Sequence, residues 1–242
     1  MMLLSLLACP PKHAVPSPVV EDPAAFLAEV RAEPPPGPVA VPFAIRIVTP
    51  ENTIHASGTL VVSPPARFRL ELRGPIGGPA LLVAGDGTSI VAWQAAKNIF
   101  YTLREAETSI RTLTGGAAGL DGAAALLLGR LPDLGEPATQ EIVAGRPRYE
   151  WVGPTGARVM AELDPATRHL TALEAVDAVG TPWLTAALLP AEYPEALHVS
   201  LPPKDITADL DFGDWMSVTP ADAVFTLAPP PGAEMQELRL AE

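Results

Sequence analysis

Four histidines, one cysteine and 28 acidic residues are the side chains of this 242-residue chain from which a reactive centre could be built. His13, His55, His169 and His198 are scattered. None stands in an H-x-H, H-E-x-x-H or H-x-E spacing that would bring two metal ligands to one face of a helix or hairpin. The run Gly115-Gly116-Ala117-Ala118-Gly119 has the glycines of a phosphate loop but not the lysine that completes the cradle, so it reads as a loop before a helix. No G-x-S-x-G elbow and no G-x-G-x-x-G follows a strand pattern. Asp205, Asp209, Asp211 and Asp214 are close together, yet Asp209 and Asp211 alternate with Leu210 and Phe212 as the solvated side of a strand does, and the spacing of a calcium loop is absent. These residues point to no catalytic site, no metal and no cofactor. The expected chemistry is non-covalent.

Cys9 is the exception. As the sole cysteine it excludes an internal disulfide and a cysteine-based zinc site. It closes the run Met1-Met2-Leu3-Leu4-Ser5-Leu6-Leu7-Ala8, which resembles the end of a bacterial lipoprotein signal peptide. There a Leu and then a small residue, here Leu6 and Ala8, precede a Cys that becomes acylated; Leu7 between them is less usual. Residues 1–8 hold no Lys or Arg and are shorter than a charged start plus an apolar core of about 7–15 residues, so the remainder of such a peptide is expected upstream. Pro10, Pro11, Pro16 and Pro18 make the next segment an extended spacer. At ~3.1 Å per residue, residues 10–22 would hold a domain about 40 Å from an anchor on Cys9. Diacylglyceryl plus a third acyl chain passes the two-signal threshold for stable membrane attachment.

Composition bounds what the spacer carries. With 29 Pro and 19 Gly but 48% hydrophobic residues, the chain is too apolar for disorder and too rich in proline for an all-helical fold. A net charge of −12 would repel nucleic acid. The charge is uneven: residues 40–150 hold ten acids and ten bases, and residues 193–242 nine acids and two bases. The neutral part is the better place to meet an apolar partner. No apolar run reaches the roughly 18 residues that span a bilayer.

Asp22 followed by Pro23 predicts a capped helix over 23–33 with Phe26, Leu27 and Val30 on one face. The proline-rich link 34–42 stops it. From residue 43 the period becomes two: Phe43, Ile45 and Ile47 alternate with smaller or polar residues, and Phe68, Leu70 and Leu72 alternate with Arg67, Arg69, Glu71 and Arg73. That is an antiparallel sheet with one apolar and one solvated face. Further strands are predicted near 55–62, 79–84, 89–94, 98–103, 139–144, 147–153, 157–164, 169–177, 181–189, 194–201, 206–212 and 222–228, with Gly85-Asp86-Gly87 as a hairpin turn. Helices are predicted at about 105–114 and 121–130. So long a meander must curl. The predicted fold is mainly β (α+β): a curled, antiparallel, half-open β-barrel with a few helices over its concave face. The domain reading is a partial signal peptide at 1–8, a lipidated Cys and tether at 9–22, and one domain at 23–242 whose barrel is 43–242.

The segments Ala56-Ser57-Gly58-Thr59-Leu60-Val61-Val62, Arg67 to Gly78, Leu113-Thr114-Gly115 and Gly129-Arg130-Leu131-Pro132 resemble the outer-membrane lipoprotein LolB and its relatives. Phe225 to Glu234 is similar to the closing strand and turn of the wider LolA/LolB group. The resemblance touches under half of the chain. It implies a half-open barrel whose cavity receives the acyl chains of lipoproteins, without enzymatic activity. It also implies a place on the periplasmic side of the outer membrane, where the protein would accept lipoproteins for insertion, with a LolA-like periplasmic carrier as partner. In LolB-like proteins a protruding apolar loop passes the lipoprotein into the membrane, and Pro75, Ile76 and Gly77 occupy the matching turn. Pro64 before Pro65 replaces the Arg of the soluble carrier, which argues against the carrier role. The aromatic residue common before the matching glycine in LolB is missing ahead of Gly129. The expected cavity residues are Phe43, Ile45, Phe68, Leu70, Leu72, Leu81 and Val83, in a monomer that binds no nucleic acid. The alternative is a scaffold lipoprotein with a filled core that holds periplasmic protein partners.

Overall fold

A computed structural model describes residues 18–74, 77–103, 106 and 119–238. Helix α1 (Pro23–Ala32) starts as its sequence requires: the Asp22 carboxylate accepts from the backbone N–H of Ala24 and Ala25, and Pro23 sits where no intrahelical donor is needed. Phe26, Leu27 and Val30 are its buried face.

Six strands follow as hairpins: β1 (Val39–Val48), β2 (Thr53–Ser63), β3 (Arg67–Arg73), β4 (Pro79–Asp86), β5 (Ile90–Gln94) and β6 (Ile99–Leu103). After α2 (Leu120–Leu127) come β7 (Thr139–Val143), β8 (Arg146–Val152), β9 (Arg158–Leu163), β10 (Leu170–Val176), β11 (Pro182–Leu189), β12 (Ala196–Leu201) and β13 (Ile206–Phe212). Two short strands, β14 (Met216–Ser217) and β15 (Glu234–Glu237), complete one 15-stranded sheet. Its order is β15-β6-β5-β4-β3-β2-β1-β13-β12-β11-β10-β9-β8-β7, with β14 beside the start of β1. Among the described residues every pairing is antiparallel except β15 on β6. The sheet curls without closing, which leaves β15 and β7 as edges. The predicted curled antiparallel fold is the one found.

The register puts the apolar residues on one face. Val41, Phe43 and Ile45 stand opposite Leu60, Gly58 and Ala56, and Leu60 opposite Leu70. On the far side Leu210, Leu197 and Leu188 continue the same face across β13, β12 and β11. α1 and α2 bury their apolar sides against it in a single large cluster. Gly58 is required where β1, β2 and β3 cross most tightly, because a Cβ there would lie 2.1 Å from the Glu71 carbonyl oxygen and 3.1 Å from the Phe43 ring. Gly58→Ala should therefore cost about 1–3 kcal/mol in urea unfolding. A change within half a kcal/mol would mean that the strands do not approach so closely.

Several expectations are corrected. β1 begins at Val39, inside the segment read as a proline-rich link. Pro42 is tolerated there because its carbonyl accepts from Gly213 N–H, so its missing donor faces the gap between β13 and β14 where no ladder bond is called for. Residues 222–228 are not a strand: Asp222–Phe225 is a 3-10 turn. It lies against β3 and β4 on the face of Arg67 and Arg69. That face was expected to be solvated, yet Leu82 and Ala84, which stand on it opposite Glu71 and Arg69, are buried. The predicted helix 105–114 lies outside the described residues apart from Ala106, which is helical and buried.

Candidate binding site

The apolar concave face is the feature that could hold a ligand, and its two ends differ. At one end Val39, Val41, Leu60 and Val62 are at most 1% exposed. At the other, a row runs across four strands: Ile54 opposite Ile47, Ile47 opposite Ala208, and Ala208 opposite Val199. Ile54 is 45% exposed, and Ile47, Ala208 and Val199 are half-buried against the core. Strand ends alone do not explain this, since both ends of β1 are strand ends. The trough is closed at one rim and open at the other.

What closes the first rim is a clasp on the helices. Glu33, at the C-cap of α1, accepts from Arg130, just beyond α2, and from Arg168 in the β9–β10 turn at 3.2 Å. Arg168 also reaches Glu29 at 2.9 Å. Arg31 pairs with Glu136 at 2.8 Å and donates to the Gly135 carbonyl. Partial burial works against ionisation of Glu33, but the hydrogen bonds from Arg130 and Arg168, with their charge, hold its carboxyl below the usual carboxylate range. The first turn of α1 is tied down separately: the buried Tyr149 hydroxyl donates to the Pro23 carbonyl at 2.8 Å. Burial first, and Asp22 second, push that phenol up to about 12, so it remains a donor at any neutral pH.

Between α1, α2 and the Pro64–Pro65 turn the packing leaves a groove of about 390 Å³, lined by Val30, Ala124, Leu128, Leu131 and several prolines, with Arg31, Glu33 and Arg130 at its edge. That volume is within the roughly 300–1,000 Å³ of small-ligand pockets.

No family model matches the chain, and no curated protein sequence matches it significantly. Solved structures do. A LolA superfamily protein from Nitrosomonas europaea superposes with a TM-score of 0.56 at 14% identity, over 84% of this chain and 97% of that one. An outer membrane lipoprotein-sorting protein domain from Vibrio parahaemolyticus gives 0.55 at 10% identity, over 83% and 94%. A DUF1329 family protein from Desulfovibrio piger gives 0.55 at 12% identity, over 84% and 94%. The chain has the LolA-like fold. At these identities the likeness speaks for the fold alone.

Within the LolA-like fold the residues expected to line a cavity divide. Phe43, Ile45 and Leu72 are buried in the main core, at 4%, 9% and 8% exposure. Leu70 and Leu81 are half-buried against that core, while Phe68 packs instead on Leu103, Ala106 and Leu120. Val83 is half-buried, and its place opposite Leu70 puts it on the same face. None of the seven lines the groove between the helices. Sequence reading missed that groove because its walls include Pro34, Pro35, Pro36 and Pro132, read as helix breakers, and Pro64 and Pro65, read only as a departure from the soluble carrier. Of the turn residues, Gly77 is exposed with φ of 87°, and Gly74 N–H donates to the Gly78 carbonyl at 2.8 Å. Pro75 and Ile76, like Cys9, lie outside the described residues.

Of the described histidines, His198 and His169 lie in separate environments. His198 pairs with Asp209 at 2.6 Å on the outer face, where Arg46 joins at 3.3 Å. The hydrogen bond from His198 is the main cause of the lowered Asp209 carboxyl. His169 is buried and bonds the Ala191 carbonyl. Its desolvation keeps the imidazole below its usual range, which suits a neutral core histidine.

Proposed function

We propose that the protein binds acyl chains on the concave face of its sheet as a lipid-anchored, non-enzymatic acceptor of lipoproteins at the outer membrane. The observation that carries this reading is the asymmetry of the trough, sealed at Val39, Val41 and Val62 and open along Ile54, Ile47, Ala208 and Val199. A filled core needs no such mouth. The lipoprotein-sorting names of proteins sharing the fold support the reading.

The energetics are adequate without any charge. Phe26, Leu27 and Val30 each gain roughly 1.5–3 kcal/mol from burial, so α1 holds the face with about 5–9 kcal/mol. A dozen methylenes at ~0.8 kcal/mol each offer about 10 kcal/mol. An acyl chain can therefore compete with the helix for the same apolar surface.

In this reading Cys9 is the acylated anchor and the prolines after it are the tether. Pro75 and Ile76, between β3 and β4 in the sequence, pass the cargo to the bilayer, and a LolA-like carrier delivers it. Purification of the chain from membranes followed by native mass spectrometry tests the reading. Bound fatty-acyl species, one per chain and displaced by added fatty acid, are the expected result. A single mass equal to the unliganded chain, unchanged by added fatty acid, would contradict it.

A further inference from the structure

The hairpin turns at 49–52, 95–98, 153–157, 177–181 and 202–205 all fall at the open rim, because the strands they join run to that end of the sheet. Two properties of this rim bear on what it could touch. The first is apolar display. Val179 is 87% exposed at the tip of the β10–β11 hairpin, and the turn holds it out rigidly: the Asp177 carboxylate accepts from the N–H groups of Val179 and Thr181 at 3.0 and 2.8 Å. Val152, at the end of β8, is 54% exposed, and the adjoining β8–β9 tip touches the β10–β11 tip where Gly156 faces Ala178. The second is the placement of lysine. The sequence has three lysines against thirteen arginines, and the two beyond the tether, Lys97 and Lys204, are both exposed on tips of this rim. Seven arginines are in ion pairs with acids, whereas neither of these lysines is, among the described residues. A long flexible ammonium beside apolar tips is the pattern of an interfacial contact, in which the apolar group enters the headgroup layer and the cation stays at the phosphates.

We propose that this rim docks on a phospholipid surface, with Val152 and Val179 entering the headgroup layer and Lys97 and Lys204 meeting lipid phosphates. The inference rests on the acyl-binding reading only for its purpose, since it names the surface from which a chain would enter or leave the mouth. The rim also bears Glu51, Asp177 and Asp205. Asp177 is engaged in its own turn. The lysines thus orient the contact, and the apolar tips supply most of its strength. The chain enters at the opposite rim, where Pro18, Val19 and Val20 share a cleft with Pro165 to Arg168. Docking and anchoring are therefore separable by substitution.

The test is sedimentation of the full chain carrying Cys9→Ser, so that no anchor contributes, with vesicles of equimolar phosphatidylethanolamine and phosphatidylglycerol. Adhesion is expected, weakened about a hundredfold or more by Val179→Asp combined with Val152→Asp. Lys97→Ala with Lys204→Ala should weaken it about thirtyfold, and the paired Lys→Arg variant should restore it. Because all four side chains are exposed, the variants should melt like the parent, which separates docking from folding. Equal sedimentation of parent and both double variants, or none by the parent, overturns the proposal. Uptake of a fluorescent fatty acid from solution is expected to survive in every rim variant. Loss of that uptake in the parent would sink acyl binding while leaving vesicle adhesion to be judged on its own.

Discussion

Replacing Phe225 with Ala is expected to cost about 3–5 kcal/mol of stability, the range for truncating a buried aromatic. In a chain of this size each kcal/mol lowers the melting temperature by roughly 2–4 °C, so the fall should be about 10 °C. Phe225 is 1% exposed although it belongs to a 3-10 turn at the far end of the chain. Arg67 lies over its ring at 4.8 Å from the centroid and pairs with Asp222 at 2.7 Å, while Arg69 donates to the Val224 carbonyl at 3.3 Å. The turn thus straps the outer side of β3 and β4 before the chain pairs with β6. Arg67→Ala should cost far less, about 1 kcal/mol, since it removes a cation–π contact and an ion pair to a 94% exposed Asp222. Equal effects for the two substitutions would show that the strap is held by charge and not by the ring.

The second large effect is expected at Glu33. Glu33→Ala leaves Arg130 and Arg168 without their shared partner, and Arg130, like Glu33, is only 26% exposed. Loss of two charge-assisted hydrogen bonds from a partly buried site should cost about 2–3 kcal/mol. Glu33→Gln, which keeps an acceptor but not the charge, should cost less. The pH dependence has a definite sign. Because the folded Glu33 carboxyl lies below its ordinary value of 4.5, its contribution is complete above that pH and is lost as the pH falls through the folded value. Acid should therefore loosen the end of α1 in the parent and change Glu33→Ala less. Urea titrations of both proteins above and below pH 4.5 would show it, and parallel losses of stability on acidification would refute the clasp.

How much of this was legible beforehand depends on the range of the interactions. The alternation of Phe68, Leu70 and Leu72 with Arg67, Arg69, Glu71 and Arg73 is local, and it placed β3 and its apolar face, but not the cover that the 222–225 turn lays over the other face. Asp22 and Pro23 likewise marked the start of α1, since capping acts within one turn. The clasp was invisible because Glu33 meets residues 97 and 135 positions away. Phe225-Thr226-Leu227 has the composition of a strand, but β3 and β4 already pair on both sides, so the segment could only lie across them. The apolar face itself could be read from periodicity. Which end of it stays open could not, because that is decided by where α1, α2 and the proline turns come to rest.

The central claim is that the open trough takes an acyl chain, and a titration of the chain with a fluorescent fatty acid tests it most directly. The account predicts saturable binding of one probe per chain, at least tenfold weaker in Ile47→Glu, which puts a charge in the apolar row at the mouth. Absence of binding by a folded parent chain, or identical binding by a folded Ile47→Glu chain, would contradict it.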